Sequence, residues 1–353
     1  MVLFHSSLFA FLQSTKPSQD LDFLPQELTA YEITAAIFVF VWRQFLYLLG
    51  LGNDVSVKDS SLDNEQYVLP EIEVSMPLRI SKIDLKKYKE AVGAAENQNL
   101  FHDPAQICLF LSSISEPAML LLLGHNRCPV RPLGSVNVRN KFELFHPSRW
   151  TQQTSIELQV CEVQAKLVPE TRKVKRGLEI DIQVDVINLT AGAKDVLFRQ
   201  TFTMLQFMRF RTQPMIQPQP DLYAVDPTWL KDVSGTTSIH MTPASPRAWA
   251  AICKDYNPIH ISTLAAKLFG FPNVIAHGNH ALALALASRN NGLQNRFVEA
   301  YDKKVRVEVQ FHRPIVLPTK DGLRLKSKQQ SATAENFWVL QGDKICITAS
   351  VNL

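Results

Sequence analysis

The body of this chain reads twice, and that repeat constrains its fold more than any other feature. Across residues 69–353 one order of elements recurs: an opening strand-and-helix region, a long apolar helix, then several alternating strands. The first long helix is expected from Pro104 to Gly124, with Pro104 at a start position and Gly124 at the stop. Residues 118–123 are apolar all round, which predicts a buried helix. Glu116-Pro117 within it predicts a kink or a break. Strands are then expected over 134–145, 156–164, 178–189 and 196–205, where β-branched and aromatic residues alternate with polar ones. In residues 179–186 the alternation is nearly perfect, which predicts one wet face and one packed face. The second half repeats the order, with a helix over 279–290 and strands over 304–311, 323–328, 337–340 and 344–351. The segments Phe142-Glu143-Leu144-Phe145-His146-Pro147 and Val309-Gln310-Phe311-His312-Arg313-Pro314 close the corresponding strand in each half.

One long helix held in an antiparallel sheet, made twice, is the pattern of a double hotdog. The expected fold class is therefore α+β, two antiparallel sheets each wrapping a long central helix, with an apolar helical N-terminal extension. The chain contains no GxGxxG and no GxxxxGK[ST], so nucleotide-binding parallel folds lose support. Four regions follow: an apolar extension over 1–68, a first hotdog over 69–213, a Pro-rich linker over 214–228 and a second hotdog over 229–353. The linker is set by Pro214, Pro218, Pro220 and Pro227, which favour a stiff extended path.

Composition narrows the partners. Lys+Arg 37 against Asp+Glu 33 gives +4 over 353 residues, too little for a dedicated nucleic-acid binder. The five cysteines are odd in number and form no CxxC, which argues against a disulfide framework and a zinc ribbon. Reduced thiols point to the cytoplasm. In the extension, an apolar run over 33–42 is interrupted by Arg43 and Gln44 and resumes over 45–51. A spanning helix needs about 20 mostly apolar residues, and a central Arg costs about 2.5–3.5 kcal/mol on insertion scales. The better reading is a helix packed on the body or lying in a membrane interface.

Chemistry concentrates in Asp255-Tyr256-Asn257-Pro258-Ile259-His260. Asp255 and Asn257 favour turns, and Pro258 pushes Asn257 out of the helical region. The path from Asp255 to His260 is therefore bent, and both side chains can face one point. A carboxyl and an imidazole converging on one water make a general acid/base pair. A short helix from Ser262 or Thr263 to Phe269, stopped by Gly270, is expected next. Ile275-Ala276-His277-Gly278 then opens the second long helix. Gly278 would offer a backbone N–H at a helix N-terminus, where negative charge on a thioester oxygen is favoured.

With DYNPIH, Ala266 six residues after His260, Gly270-Phe271 and IAHG in place, the chain resembles the MaoC-like (R)-specific enoyl-CoA hydratases and 3-hydroxyacyl thioester dehydratases. The resemblance reaches most of the chain from about residue 69. It implies that Asp255 and His260 are the catalytic dyad, that Asn257 supports its geometry and that the Gly278 N–H binds the thioester oxygen. It implies a degenerate first half, because residues 81–98 carry no D-x-N-P-x-H. His240, His277, His280 and His312 receive no role and are read as structural. Two departures stand out: Lys254 where the family has Gly before the Asp, and Asn279 where an apolar residue usually follows His-Gly.

The implied reaction is reversible hydration of a trans-2-enoyl thioester to a (3R)-3-hydroxyacyl thioester, with no metal or redox cofactor. The implied partner is an acyl-CoA or acyl carrier protein thioester; the apolar N-terminus adds a membrane contact to the expectations, and a homodimer is a further one. Two lysine-rich clusters could meet carrier phosphates: Lys82, Lys86, Lys87 and Lys89, and Lys166, Arg172, Lys173, Lys175 and Arg176. The alternatives are a hotdog acyl-thioesterase and a non-catalytic, membrane-associated acyl-binding or scaffold protein.

Overall fold

The computed structural model describes residues 8, 12–51, 56–57, 67–96, 98–100, 103–150, 160–189, 194–208, 210, 237–288, 304–331 and 333–353. The expected linker over 214–228, and the ends of the first and second hotdogs that flank it, lie outside the described residues. Two compact units emerge, one drawn from residues 1–79, 115–140 and 160–218, the other from 80–114, 141–159 and 219–353.

In the first unit the strands are β1 (Ser18–Asp20), β2 (Ser56–Val57), β3 (Tyr67–Val68) and β4 (Glu73–Arg79), followed after β5 (Ser135–Leu144) by β6 (Val160–Val174), β7 (Gly177–Asn188) and β8 (Asp195–Phe207). The sheet runs β1-β4-β6-β7-β8, and among the described residues β2 pairs with β3. Its pairings are antiparallel except at one edge, where β1 joins β4 in parallel with Ser18 opposite Glu73. The wholly antiparallel sheet expected from sequence is thus extended by the N-terminal segment. The reason is the exposed edge of β4, whose unpaired backbone groups β1 satisfies.

β7 qualifies the expectation of one wet face. Ile180, Ile182, Val184 and Val186 are fully buried as expected, but Glu179 and Asp185 on the other side are buried too. Arg172 donates to both carboxylate oxygens of Asp181 at 2.7 Å, and Arg199 brackets Asp185 at 2.7 and 2.9 Å. Guanidinium groups that are themselves about a third exposed cover these carboxylates. Arg172 is therefore engaged within the sheet, which removes one member of the second basic cluster as a free phosphate ligand.

The helices are α1 (Ala30–Leu48), α2 (Lys82–Ala91), α3 (Pro104–Gly124), α4 (Ser245–Cys253), α5 (Pro258–Ile261), α6 (Thr263–Leu268) and α7 (Gly278–Ala287). α3 is the one described helix long and apolar enough to cross a membrane, yet 94% of its apolar 18-residue stretch is buried inside the protein. It is a core helix. It does not end at Glu116-Pro117 and continues through Pro117 to Gly124. A helix-interior proline costs about 3 kcal/mol, and the buried Ala118, Met119, Leu121, Leu122 and Leu123 that follow offset it.

The second unit has the sheet β10-β13-β12-β11-β9, made of β9 (Thr237–Ile239), β10 (Val305–Phe311), β11 (Leu323–Ser331), β12 (Ala334–Gln341) and β13 (Lys344–Asn352). All four of its pairings are antiparallel. α7 is buried along nearly its whole length, with Ala281, Leu282, Ala283 and Ala285 at 0% exposure. The architecture is α+β and of the double hotdog type. All five cysteines are free and buried, and burial pushes the Cys161 thiol up to about 11, so these are inert core residues.

Candidate active site

The site lies in the second unit, in the turns between α4 and α7. α4 ends at Lys254, which takes the left-handed conformation, φ +59°. That backbone favours glycine, which explains how a Gly would serve before the Asp and what Lys254 does here: it caps α4, its N–H donating to the Ala250 carbonyl at 2.8 Å. A non-glycine residue held there costs about 1 kcal/mol. Lys254→Gly is expected to raise the urea midpoint of unfolding, with a net gain of up to about 0.5 kcal/mol after the entropy of the added glycine. A lower midpoint would show that the Lys254 stem is needed for packing.

Asp255 is fixed by one oxygen and turns the other toward two histidines. Its Oδ1 accepts from the Asn257 N–H at 3.1 Å. Asn257 in turn caps α5, its Oδ1 accepting from the Ile259 N–H at 3.3 Å, with Pro258 at the first helical position. This single turn carries His260 inward. The His260 Nδ1 lies 2.8 Å from the Ile275 carbonyl, which can only accept, so Nδ1 carries the proton and Nε2 keeps its lone pair when the ring is neutral. That Nε2 stands 4.0 Å from Asp255 Oδ2. Burial lowers the His260 pKa from its ordinary value, against the opposing pull of Asp255 and of the Ile275 carbonyl, so the ring is neutral near pH 7.

His277 is the residue that sequence reasoning set aside as packing. Its ring stacks on that of His260 with centroids 3.8 Å apart. Its Nε2 lies 3.1 Å from the Asp255 carbonyl and 3.5 Å from Asp255 Oδ2. The carbonyl requires Nε2–H, so His277 donates to the backbone that carries the dyad carboxyl. Burial, then the neighbouring His260 and His280, hold it neutral, well below its ordinary pKa. No sequence spacing announces this contact, because 22 residues separate His277 from Asp255.

Asp255, His260 and His277 each present one potential metal-ligand atom within 4.8 Å of one another. The tautomers argue against a metal. The Nε2 of His277 carries a proton toward a carbonyl, and a protonated nitrogen cannot ligate. The set fits proton transfer better than metal binding.

Gly278 is the first residue of α7, where the N–H has no acceptor inside the helix. A Cβ at this position would lie 2.3 Å from Cε1 of Phe311, so the ring at the end of β10 closes onto the helix start. Asn279 does not act as an apolar wall residue: it is buried and its Nδ2 donates to Ser112 Oγ of α3 at 3.2 Å.

The remaining histidines hold the frame. His280 donates through Nε2 to the Ala91 carbonyl at 2.8 Å and stacks on Trp249, centroids 5.1 Å apart. Gln106 bridges Tyr88 Oη at 2.7 Å and the Ala283 carbonyl at 2.9 Å, tying α2, α3 and α7 together. His312 Nε2 meets Thr348 Oγ1 at 2.9 Å, and His240 is exposed. Burial takes His280 down to about 4. The unfolded chain binds this proton more readily between pH 4 and 6.5, so stability rises with pH through that window and is lost as pH falls through it. The loss is expected to reach about 2–3 kcal/mol by pH 4.5. Urea unfolding at pH 7 and 4.5 should show it, and His280→Gln should reduce it; an unchanged difference in His280→Gln would remove His280 as its source.

Comparison with known proteins adds three findings. Residues 228–336 match the family described as MaoC like domain. Over 211 residues, 60% of this chain, the sequence is 30% identical to 3-hydroxyacyl-thioester dehydratase X of Mycobacterium tuberculosis, and the match spans 66% of that relative. Among solved structures, HtdX of Mycobacterium tuberculosis superposes with TM-score 0.57 at 24% identity, covering 80% of this chain and 100% of that one. The peroxisomal multifunctional enzyme type 2 of Drosophila melanogaster gives TM-score 0.53 at 17% identity, covering 80% of this chain and 48% of that one. At these identities the solved structures speak for the fold.

Proposed function

We propose that this chain, which carries a MaoC-like dehydratase domain across residues 228–336, is a hydro-lyase that interconverts trans-2-enoyl and (3R)-3-hydroxyacyl thioesters. The observation that carries this reading is the 4.0 Å between Asp255 Oδ2 and His260 Nε2, with the Nε2 lone pair fixed by the Nδ1–H bond to Ile275. Two groups at that separation can both bond one water at about 2.8 Å, on a single side of a flat enoyl group.

In the hydration direction, one water oxygen adds to C3 of the enoyl chain. His260 Nε2 takes a proton from that water, and the Asp255 carboxyl gives a proton to C2. Return of the proton from His260 to Asp255 restores the pair. The two roles can be exchanged without altering the balance. Charge gathers on the thioester oxygen as C3 is attacked, and this reading gives the Gly278 N–H, at the start of a helix, the role of donor to it. Asn257 holds Asp255 Oδ1, which leaves Oδ2 facing His260 and His277.

The acyl group would arrive on CoA or an acyl carrier protein, in a cytoplasmic setting that suits five reduced thiols. The test is loss of enone absorbance from trans-2-enoyl-CoA thioesters of several chain lengths, with chiral analysis of the product. The expected result is a 3R alcohol. Release of free thiol from a saturated acyl-CoA would favour a thioesterase instead. Tight acyl-CoA binding with no absorbance loss at any length would favour a non-catalytic binding protein.

A further inference from the structure

α1 is divided lengthwise between two kinds of surface. Its inner stripe is Glu32, Phe40, Arg43 and Tyr47, spaced as one helical face. Glu32 closes a capping box with Thr29, and Phe40 is buried. Arg43 donates to the carbonyls of Leu123, at 2.5 Å, and of His125 and Cys128, just beyond the end of α3. The only cation in α1 is therefore turned into the protein and held by carbonyls.

The outer stripe is Phe38, Val41, Trp42, Phe45, Leu48 and Leu49, continued by Leu51. These side chains are exposed, Phe38 at 67% and Leu48 at 73%. The residues recur at i, i+3, i+4, i+7, i+10 and i+11, which places them on one face. Residues 33–51 contain no Asp or Glu. Basic groups border the helix. The Arg131 guanidinium lies 3.9 Å above the Tyr47 ring. The Arg127 guanidinium donates to the Thr15 carbonyl at 3.3 Å, and the neighbouring Lys16, whose backbone bonds His125, is exposed. Among the described residues, Lys16, Arg127 and Arg131 form no ion pair with a carboxylate.

We propose that α1 lies flat in the surface of an anionic lipid bilayer, its outer stripe of Phe38, Val41, Trp42, Phe45 and Leu48 in the acyl boundary and Lys16, Arg127 and Arg131 at the headgroups. A spanning helix is excluded by the anchorage of Arg43, because α1 cannot leave the first unit without freeing that charge in hydrocarbon. An apolar stripe with Trp at its centre and cations at its flank is the surface that interfacial binding needs. A second copy is the weaker occupant: a two-fold contact of this face would oppose the same unpaired cations. The proposal is independent of the hydratase reading, since it concerns no residue of the Asp255–His260 site.

The test is flotation of the full-length protein with phosphatidylcholine vesicles, with and without 30% phosphatidylglycerol. Expected is flotation with the anionic vesicles, weaker flotation with the neutral ones, and at least a tenfold lower partition for the triple variant Phe38→Ser, Trp42→Ser, Leu48→Ser. Thermal unfolding of the triple variant should match the parent, because all three side chains are exposed. Quenching of the parent's tryptophan fluorescence by brominated lipid gives a second readout that needs no variant. The proposal is overturned by a parent that stays at the bottom of the gradient and is not quenched, or by flotation that the substitutions leave unchanged. It is equally overturned by a parent dimer that the substitutions dissolve while no vesicle binds.

Discussion

Replacing His260 by Gln is expected to lower kcat for enoyl thioester hydration by about 10²–10⁴-fold, the range for loss of a positioned general base. Gln can still donate to the Ile275 carbonyl that His260 contacts at 2.8 Å, so the α5 turn should keep its shape. What is lost is the basic nitrogen facing Asp255 Oδ2. Asp255→Asn should fall by a similar factor, because its amide can keep the bond to the Asn257 N–H but cannot carry the shuttled proton. The two losses should not add: a pair acting as a unit is nearly disabled by either change. pH dependence gives a second check. Burial lowers the His260 pKa, so the base stays unprotonated below pH 6.5 and the acid limb of kcat/KM should lie below that value. Near-normal turnover in both variants, or an acid limb above pH 6.5, would remove the dyad assignment.

Gly278→Ala is the second large effect, and it tests room and chemistry together. The new Cβ would sit 2.3, 2.6 and 2.9 Å from three atoms of the Phe311 ring. Something must move, and overpacking of this kind costs about 1–3 kcal/mol, occasionally more. The Phe311 backbone is held in register opposite Ile347 of β13, so the ring or the start of α7 must yield. If α7 yields, the Gly278 N–H shifts as well, and loss of one such donor lowers kcat by about 10²–10³-fold. Phe311→Leu in the same chain separates the causes. It should recover most of the lost stability, with a coupling of about 0.5–3 kcal/mol in a double-mutant cycle. Recovery of stability without recovery of rate would locate the loss in the displaced amide. No destabilisation by Gly278→Ala alone would contradict the close packing of Phe311.

Much of this site could be read from residue chemistry because its geometry is local. Asn257-Pro258 can hardly do other than turn, and the turn carries His260 within 4.0 Å of Asp255. The stop at Gly270 and the start at Ser262 are likewise local, with Ser262 Oγ capping Ala265 N–H and Gly270 at φ +85°. What sequence could not reveal was tertiary. The role of His277 depends on a ring contact between α5 and the start of α7. α4, which packs against α2 through the Tyr88–Trp249 contact, has few markers beyond Pro246. β6 runs on to Val174, past Pro169, Glu170, Arg172 and Lys173, which locally resemble a loop. Pairing with β7, and the Arg172–Asp181 bridge, keep it extended. Of the kink or break expected at Glu116-Pro117, the break does not occur, since burial of the α3 face outweighs a local breaker.

The most direct test of the central claim is hydration of a trans-2-enoyl-CoA in deuterated water, followed by the relative configuration at C2 and C3. In the proposed reaction both proton-handling groups act from one side of the reacting bond through one solvent molecule. Deuterium at C2 should therefore arrive on the same face as the hydroxyl at C3. Addition from opposite faces, or a mixture of the two, would contradict a single water held between Asp255 and His260.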